Sequence, residues 1–456
     1  MNIIICGAGQ VGLNLAKYLA QRDHDVTVID NDAELIDEIN DTSDVKAICG
    51  HASHPDILEL ASAKDADLLV AVTYQDEVNM IACEVARALF NVPKLIARVR
   101  EQAYLMPKWQ DLYSAKNLNI DYLISPEIEV AHVLSRNLFL PGAFEAYTLA
   151  DEKIYLLGIR LTQSNPLINT PISHIHSLFQ QIPFTVIGVR RGDDAFLPHH
   201  NEVLQVGDEV YAIVPKDETL GLLKAFGFNT TEKRQRLTII GGGNIGLRLA
   251  LDLEESNAKT SIQIIERDPE RAEWIAQQLK HALVICGDGL DADILKEVGI
   301  DHSDTVVAVT DNEKSNCLTA LLAKRMGAQK TLALNNQSNF GRLVTSLGVD
   351  AVVSPKVITV SNILQYIRKG QLRKIYSLGE NFCEIIEVDA SMISGVVGSK
   401  VSEIEKSGKL LIPAVFRDQE VLVTNPNSII KLEDRVIMVL SSDYMKSHPD
   451  IIATLS

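Results

Sequence analysis

Two short stretches of this 456-residue chain have the glycine spacing of a phosphate-binding turn: ICGAGQVG at residues 5–12 and IIGGGNIG at residues 239–246. In such a turn the first glycine permits a tight bend and the second lets backbone approach a pyrophosphate. The third lets the following helix pack on the strand. Each stretch follows an apolar run and opens a helical pattern, which predicts two nucleotide-binding turns at Gly7, Gly9, Gly12, Gly241, Gly243 and Gly246. The alternative is that these glycines serve only strand–helix packing.

An acidic residue follows each turn at the distance expected for a ribose ligand. Asp30 ends the apolar run VTVID, and Glu266 ends SIQIIE. A carboxylate at this place accepts hydrogen bonds from ribose hydroxyls and repels a 2′-phosphate, which favours NAD or an adenosine nucleotide over NADP. Arg267 follows Glu266 directly. It is placed either to stack on adenine or to weaken the selection against a 2′-phosphate.

Further candidates come from the ends of later strands, because carboxyl ends of parallel strands line the ligand crevice. The run AVT occurs in both halves and predicts nucleotide neighbours at Thr73, Tyr74, Thr310 and Asp311, with ordinary turn chemistry as the alternative. The next strand ends in Arg98 in the first half and in Leu334 in the second. An arginine there can bind phosphate, or it can be a solvated or interface residue. The two sites are therefore predicted to differ.

The elements that carry these residues recur in the same order along the chain. ICGHASHPDIL, DLLVAVT and DYLISP of the first half match ICGDGLDADIL, DTVVAVT and DAVVSP of the second. Alternating strand and helix patterns predict an α/β fold with two doubly wound, Rossmann-like parallel sheets. Each is followed by a small α+β domain, which makes the chain an internal duplication. The predicted domains span 1–140, 141–228, 236–372 and 373–456, with a linker at residues 229–236.

Composition and absent motifs narrow the class of function. A net charge of −17 argues against binding to nucleic acid, and none of the six cysteines forms a C-x-x-C pair, so we expect a reducing compartment and no disulfides. No apolar run is long enough to span a bilayer. No metal site and no catalytic residue is predicted, because no ligand cluster or nucleophile motif stands out. The chain is expected not to be an enzyme. An NAD-dependent oxidoreductase and a nucleotide-sensing adaptor of another transporter remain alternatives.

The order of these motifs resembles the TrkA family, the tandem regulatory chains of bacterial Trk potassium uptake. The resemblance covers both halves and implies nucleotide domains of the RCK N-terminal type, each followed by a small domain of the RCK C-terminal type. It implies that NAD(H), with ATP or ADP as further possibilities, contacts the turns, the two acids and the strand ends. Beyond the residues already named, it adds Ala8, Gln10, Val11, Gly242, Asn244 and Ile245.

The same resemblance implies where the protein works and with what partners. The chain would be a peripheral regulatory subunit on the cytoplasmic, inner face of the cell membrane. It would gate a potassium-translocating subunit of the TrkH or TrkG type by conformational change. It would also assemble with itself, as a homotetramer that forms a ring of eight nucleotide domains.

Overall fold

The computed structural model describes residues 1–21, 24–42, 45–199, 201–230, 235–256, 259–367, 372–378 and 382–447. By compactness the chain divides into two units: unit 1 contains residues 1–130 and 354–366, and unit 2 contains residues 131–353 and 367–456. Residues 231–234 of the predicted linker lie outside the described residues, and Gln235 and Arg236 begin a strand instead. The bounds of the four domains stay a prediction from the sequence.

The first parallel sheet is made of continuous apolar runs that are buried on both faces, as expected when helices cover both sides of a sheet. Its six strands have the order β3-β2-β1-β4-β5-β6. The strands are β1 (Asn2–Cys6), β2 (Asp25–Asp30), β3 (Lys46–Cys49), β4 (Leu68–Ala71), β5 (Leu95–Arg98) and β6 (Tyr122–Ile124). The helices are α1 (Gln10–Ala20), α2 (Ala33–Thr42), α3 (Pro55–Leu60), α4 (Asp76–Phe90) and α5 (Pro126–Leu138).

The first antiparallel sheet follows, with the order β10-β9-β11-β8-β7. Its strands are β7 (Ala143–Leu149), β8 (Ile154–Arg160), β9 (Thr185–Arg191), β10 (Asp194–Phe196) and β11 (Glu209–Pro215). Two short helices, α6 (Ile172–Leu178) and α7 (Thr219–Ala225), pack apolar side chains into its core. One such residue is Ile175, which is fully buried.

The second parallel sheet repeats the first, with the order β14-β13-β12-β15-β16-β17. Its strands are β12 (Gln235–Ile240), β13 (Thr260–Glu266), β14 (Leu283–Cys286), β15 (Thr305–Ala308), β16 (Lys330–Leu334) and β17 (Ala351–Val353). Its helices are α8 (Asn244–Glu255), α9 (Pro269–Gln278), α10 (Ala292–Glu297), α11 (Glu313–Arg325), α12 (Ser338–Ser346) and α13 (Pro355–Ile367).

The second antiparallel sheet has the order β18-β19-β22-β20-β21. Read in reverse, the order of the first sheet matches it strand for strand. It is made of β18 (Leu372–Leu378), β19 (Cys383–Asp389), β20 (Leu410–Arg417), β21 (Glu420–Val423) and β22 (Arg435–Ser441), with α14 (Val401–Ile404) and α15 (Ser442–Ser447). The prediction of two Rossmann-like sheets, each followed by a small α+β arrangement, is confirmed. Across the described residues no helix has the length and apolar character needed to cross a bilayer.

The helix after each parallel sheet is shared with the other half of the chain. The last turns of α5 belong to unit 2, where the Lys330 ammonium donates to the carbonyl oxygens of Asn137 (2.6 Å) and Leu140 (2.9 Å). A cation at the end of a helix stabilises its unpaired carbonyls. Helix α13 belongs to unit 1 except for its last residue, and there the ring of Tyr366 stacks on Tyr122 with centroids 4.5 Å apart. The first half of the chain thus contributes the end of α5 to unit 2, and the second half contributes most of α13 to unit 1.

Within unit 2 the two antiparallel sheets share one hydrophobic core. It contains Leu156, Tyr211 and Ile213 of the first sheet and Ile385 and Val439 of the second, all of them buried. Burial of apolar surface stabilises such an arrangement by about 25 cal/mol per Å². The small sheets are consequently one packed body and not two separate ones.

An unusual turn joins β7 to β8 and is fixed by the second antiparallel sheet. Ala150, Asp151 and Glu152 all have left-handed φ angles, of 49°, 52° and 67°. Such a conformation costs about 1–3 kcal/mol for each residue that is not glycine. Buried Glu387 accepts a hydrogen bond from the Ala150 N–H (2.9 Å), and the Arg435 guanidinium bridges Glu387 (3.0 Å) and Asp151 (2.8 Å). These contacts offset the strain of the turn.

Each antiparallel sheet also contains one buried bidentate ion pair at the same place. The Arg191 guanidinium binds both oxygens of Asp208 at 2.9 Å, and Arg417 binds both oxygens of Asp434 at 2.5 and 2.7 Å. Both carboxylates have fully buried side chains. The hydrogen bonds to Asp208 raise the pKa of Arg191 above its ordinary value. The Arg191 guanidinium therefore keeps its positive charge beside Asp208.

We predict that Asp208→Ala lowers the free energy of unfolding by at least about 2 kcal/mol, because it leaves the Arg191 guanidinium without its buried partner. Urea unfolding followed by circular dichroism measures this change. The control is Glu433→Ala, which removes an exposed pair with Lys431 at 4.0 Å and should cost less than about 1 kcal/mol. Equal effects of the two substitutions would contradict the structural role of the Asp208 pair.

Candidate nucleotide site

The first glycine turn has the backbone geometry that its sequence predicts. Gly7 has φ +114°, a conformation that residues with a side chain rarely adopt. A Cβ on Gly12 would overlap the carbonyl oxygen of Gly7, whereas nothing lies within 4 Å of the Cβ position of Gly9. Gly7, Ala8 and Gly9 form the connection from β1, and Gln10, Val11 and Gly12 form the first turn of α1. Gly9 is therefore open to solvent on this side, as the close approach of a ligand to its backbone requires.

Helix α1 begins at this turn with its amide groups available. Its N-cap is Gly9, no side chain caps it, and its first turn contains no acidic residue. Unpaired N–H groups and the positive end of the helix dipole attract an anion at such a place. The turn and the helix start therefore provide the donors that a pyrophosphate requires.

Asp30 is the last residue of β2 and is bonded to the glycine turn. Its Oδ2 accepts a hydrogen bond from the Ala8 N–H at 2.5 Å, and its Oδ1 accepts one from the Asp32 N–H at 3.0 Å. A carboxylate oxygen has two lone pairs, so each oxygen can accept one further hydrogen bond. The carboxylate is thus held beside the turn, as a ribose ligand must be.

Strand register brings the ends of β4 and β5 to the same edge of the sheet as this turn. Ala71 pairs with Cys6 on one side and with Ala97 on the other, so Thr73 and Arg98 lie at the same edge as the turn. Thr73 and Tyr74 follow β4, and Arg98 ends β5, as predicted.

Asn79, on α4, holds these strand ends together. Its fully buried side chain accepts from the N–H (2.8 Å) and the hydroxyl (2.7 Å) of Thr73, and donates to the carbonyl oxygens of Thr73 (3.2 Å) and Arg98 (3.0 Å). The amide therefore uses all of its hydrogen-bonding capacity to fix the distance between the two strand ends.

A cluster of charged side chains surrounds Arg98. The Arg100 Nε donates to Glu127 (2.9 Å), and its guanidinium lies 4.8 Å from the ring of Tyr74. Within the described residues, the Nε of Arg98, one oxygen of Asp76 and one oxygen of Glu127 are buried without a hydrogen-bond partner. Burial lowers the pKa of Arg98, with Glu127 acting in the opposite direction. Of these three atoms only the Arg98 Nε is a donor, so it is the one that an anionic ligand could use, whereas the two carboxylate oxygens would repel such a ligand.

The second half repeats the turn and the acid with small changes. Gly241 has φ +108°, and a Cβ on Gly246 would overlap the Gly241 carbonyl oxygen. Glu266, at the end of β13, accepts a hydrogen bond from the Gly242 N–H (2.6 Å), and its other oxygen accepts from the Asp268 N–H (2.9 Å). Gly243 is the N-cap of α8, and Asn244, Ile245 and Gly246 form the first turn of that helix.

At the strand ends of the second half the buried amide is present, as in the first half, but the arginines are absent. Asn316 bonds to Thr310 in the same way that Asn79 bonds to Thr73 and also donates to the carbonyl oxygen of Leu334 (3.3 Å). Thr310 and Asp311 follow β15, as predicted. The places of Arg98, Arg100 and Glu127 are taken by Leu334, Asn336 and Lys356. The two crevices therefore share a frame and differ in charge.

The buried amides were missed by the sequence analysis. The available signal was that Asn79 and Asn316 each stand six residues after the threonine of an AVT run, in both halves of the repeat. A polar residue repeated on the buried face of a helix indicates a structural hydrogen bond. Among the described residues no group of three or more histidine, cysteine or acidic side chains could hold a metal ion.

We predict that Asn79→Ala lowers the free energy of unfolding by about 1–3 kcal/mol, because the backbone groups of Thr73 and Arg98 lose their buried partner. Asn316→Ala should have a similar effect in the second half, and urea unfolding measures both. Asn14→Ala is the control, because the Asn14 side chain bonds only to the Gln10 carbonyl oxygen at an exposed place. A loss as small as that of the control would contradict the proposed role.

The sequence also matches known protein families and known proteins. The TrkA-N domain model matches residues 3–126 and 237–355, and the TrkA-C domain model matches residues 156–227. The chain is 39% identical to the Trk system potassium uptake protein TrkA of Azorhizobium caulinodans, covering 98% of this chain and 97% of that protein. It is 35% identical to the protein of the same name from Vibrio alginolyticus, covering 96% of each.

Solved structures agree with this assignment at the level of fold. The structure of the GsuK RCK domain has a TM-score of 0.60 and 18% identity, and covers 99% of this chain and 95% of that one. The GsuK channel bound to NAD has a TM-score of 0.60 and 17% identity, and covers 99% and 79%. Because family models match most of the chain and its relatives align over nearly its full length, the chain belongs to the TrkA family of Trk system potassium uptake proteins.

Proposed function

We propose that this protein is the regulatory subunit of a Trk-type potassium uptake system, and that NAD(H) or a related adenine nucleotide controls it. The observation that carries the proposal is a pair of glycine turns in a TrkA family chain, each with an acid bonded to its backbone. In each, an uncapped helix starts at the turn. The role is one of binding and regulation and not of catalysis.

The proposed ligand position follows from the donors and acceptors of each crevice. A pyrophosphate lies against Gly9 and the start of α1, where N–H groups are available. The ribose hydroxyls donate to Asp30, whose oxygens each retain a lone pair. The second crevice offers the same groups around Gly243 and Glu266. In support of this ligand class, the relatives by fold include a channel bound to NAD and one bound to ADP.

The first crevice also contains the means to respond to its ligand. Arg100 is bonded to Glu127, and Glu127 also acts on the charge of Arg98, so a phosphate that reaches these arginines competes with that carboxylate for their guanidinium groups. Glu127 stands in the first turn of α5, the helix whose last turns belong to unit 2. Ligands that engage the arginines differently stabilise different positions of this helix, and a ligand shifts the equilibrium only by its differential affinity.

The proposed partners and location come from the family. The chain assembles as a homotetramer that presents eight nucleotide domains as a ring. It docks on the inner face of the cell membrane against a potassium-translocating subunit of the TrkH or TrkG type. Its net charge of −17 favours docking on a basic surface of that subunit.

The binding claim predicts two sites for NADH on each chain, one in each half. Asp30→Ala should weaken binding at the first site at least tenfold and leave the second unchanged, because charge-assisted hydrogen bonds contribute about 1.5–3 kcal/mol. Glu266→Ala should do the reverse. Isothermal titration calorimetry of the full chain with NAD, NADH, ATP and ADP measures both affinities. Unchanged binding of every nucleotide in both variants would remove the proposed sites.

Two exposed cysteines allow each site to be followed separately. Cys49 pairs with Asp30 in the register of β2 and β3, and Cys286 pairs with Glu266 in the same way. NADH should therefore slow modification of both thiols by a maleimide, as measured by mass spectrometry of digested protein. Asp30→Ala should abolish protection of Cys49 alone. The buried thiols Cys6, Cys83 and Cys383 serve as internal controls, because burial raises their pKa values and hides them from reagent.

Regulation is tested by potassium flux into vesicles that contain the membrane subunit together with the full chain. Nucleotides should change the flux through the wild type and change it less with Asp30→Ala. If nucleotides bind but the flux is the same with and without them, the gating part of the proposal fails. Turnover of the nicotinamide ring with any substrate would favour an oxidoreductase instead.

A further inference from the structure

The ribose side of the second crevice contains an arginine that the first crevice lacks. Arg271 lies near the start of α9, the helix that follows Glu266 in the chain. Its Nε donates to the carbonyl oxygen of Gly242 at 2.9 Å. Its guanidinium stacks on the ring of Trp274 at 4.4 Å. The same residue Gly242 donates its N–H to Glu266. The arginine and the acid thus hold the two sides of one residue in the glycine turn.

The position of Arg271 is fixed, but its charge is not neutralised by the protein. In the described part of the chain no carboxylate forms an ion pair with Arg271, and no residue accepts a hydrogen bond from its two terminal Nη groups. Stacking on an indole ring and one backbone hydrogen bond orient a guanidinium without using its outer donors. These donors are available to an anion next to the ribose ligand Glu266.

Gly242 is part of the same arrangement. A Cβ at this position would lie 3.0 Å from a carboxylate oxygen of Glu266 and would overlap the side chain of Ile275. The first half has Ala8 here, opposite the shorter side chain of Asp30. The additional glycine therefore accommodates the longer acid and leaves the Gly242 carbonyl oxygen accessible to Arg271.

The equivalent segment of the first half has the opposite electrostatic character. Leu35 and Glu38 occupy the places of Arg271 and Trp274, and Asn31 occupies that of Arg267. Residues 30–39 contain five acids and no base, whereas residues 266–275 contain four acids and two arginines. An additional phosphate on the adenosine ribose would meet only acidic charge from this segment in the first crevice, whereas the second crevice offers it the Arg271 guanidinium.

We infer that the second crevice accepts adenine dinucleotides with an additional phosphate on the adenosine ribose, as in NADPH, whereas the first crevice rejects them. This inference rests on the proposed nucleotide binding and adds a difference in ligand class between the two halves. In such turns an acid binds the ribose 2′-hydroxyl of NAD, whereas a nearby arginine accommodates the 2′-phosphate of NADP. In the second crevice Arg271 offsets the repulsion between Glu266 and that phosphate. Arg271 supplies a bidentate donor pair, and Arg267 is exposed at the end of β13.

The test is calorimetric titration of the full chain with NADH and with NADPH. NADH should fill two sites on each chain and NADPH one. Arg271→Ala should weaken NADPH binding by a factor at least tenfold larger than the factor by which it weakens NADH binding, because both ligands use the turn that Arg271 supports but only NADPH carries the phosphate that this guanidinium binds. Arg271→Lys retains the charge without the stacked, forked geometry and should fall between the wild type and Arg271→Ala.

The matched control is Arg325→Ala, which removes one positive charge at the end of α11, at the opposite edge of the same sheet. It should leave both affinities unchanged, which separates a specific contact from a change in net charge. Circular dichroism of each variant confirms that the sheet remains folded.

The outcomes distinguish this inference from the proposed function. If NADH fills two sites but NADPH fills neither, or if Arg271→Ala leaves NADPH binding unchanged, the inference is overturned and nucleotide binding stands. If NADPH fills both sites with equal affinity, the difference between the halves is also overturned. If NADH binds to neither half, the proposed function fails. The inference then stands only if NADPH still binds and Arg271→Ala weakens that binding.

Discussion

The close approach of helix to strand at each glycine turn is the constraint on which the site depends. Gly12 lies against the carbonyl oxygen of Gly7 with no room for a Cβ, and Gly246 lies against Gly241 in the same way. This contact places the start of a helix directly over the carboxyl ends of the strands. The acid at the end of the neighbouring strand then reaches the turn and bonds to its backbone. Any side chain at the third glycine would separate these groups.

Comparison of the two halves shows what this frame holds constant and what it leaves free. The positive-φ glycine, the acid bonded to the turn and the buried asparagine between the strand ends occur in both. The charged groups around the frame differ. The first half concentrates arginine at the end of β5, and the second places Arg271 beside Glu266. Duplication has therefore kept one backbone geometry while changing the charged groups around it.

The parts outside the parallel sheets couple the two halves of the chain. Helix α5 starts beside the charged cluster of the first crevice and ends in unit 2 under the Lys330 ammonium. The antiparallel sheets share a core, and Glu387 and Arg435 of the second sheet hold a strained turn of the first. Motion of one small sheet without the other would expose apolar surface and break these bonds. The two antiparallel sheets of unit 2 are therefore held together as one body.

The sequence by itself determined the repeat, the two parallel sheets, the glycine turns and their acids, because apolar periodicity and glycine spacing act locally along the chain. The sequence also predicted that Arg98 ends a strand in the first half and that Leu334 stands at the equivalent position of the second half. Only the tertiary structure decided which side chains meet across elements. Asn79 bonds to two strands, Arg271 bonds to the glycine turn, and the two small sheets merge into one core. Such contacts join residues far apart in sequence, and their partners are fixed by packing and not by local pattern.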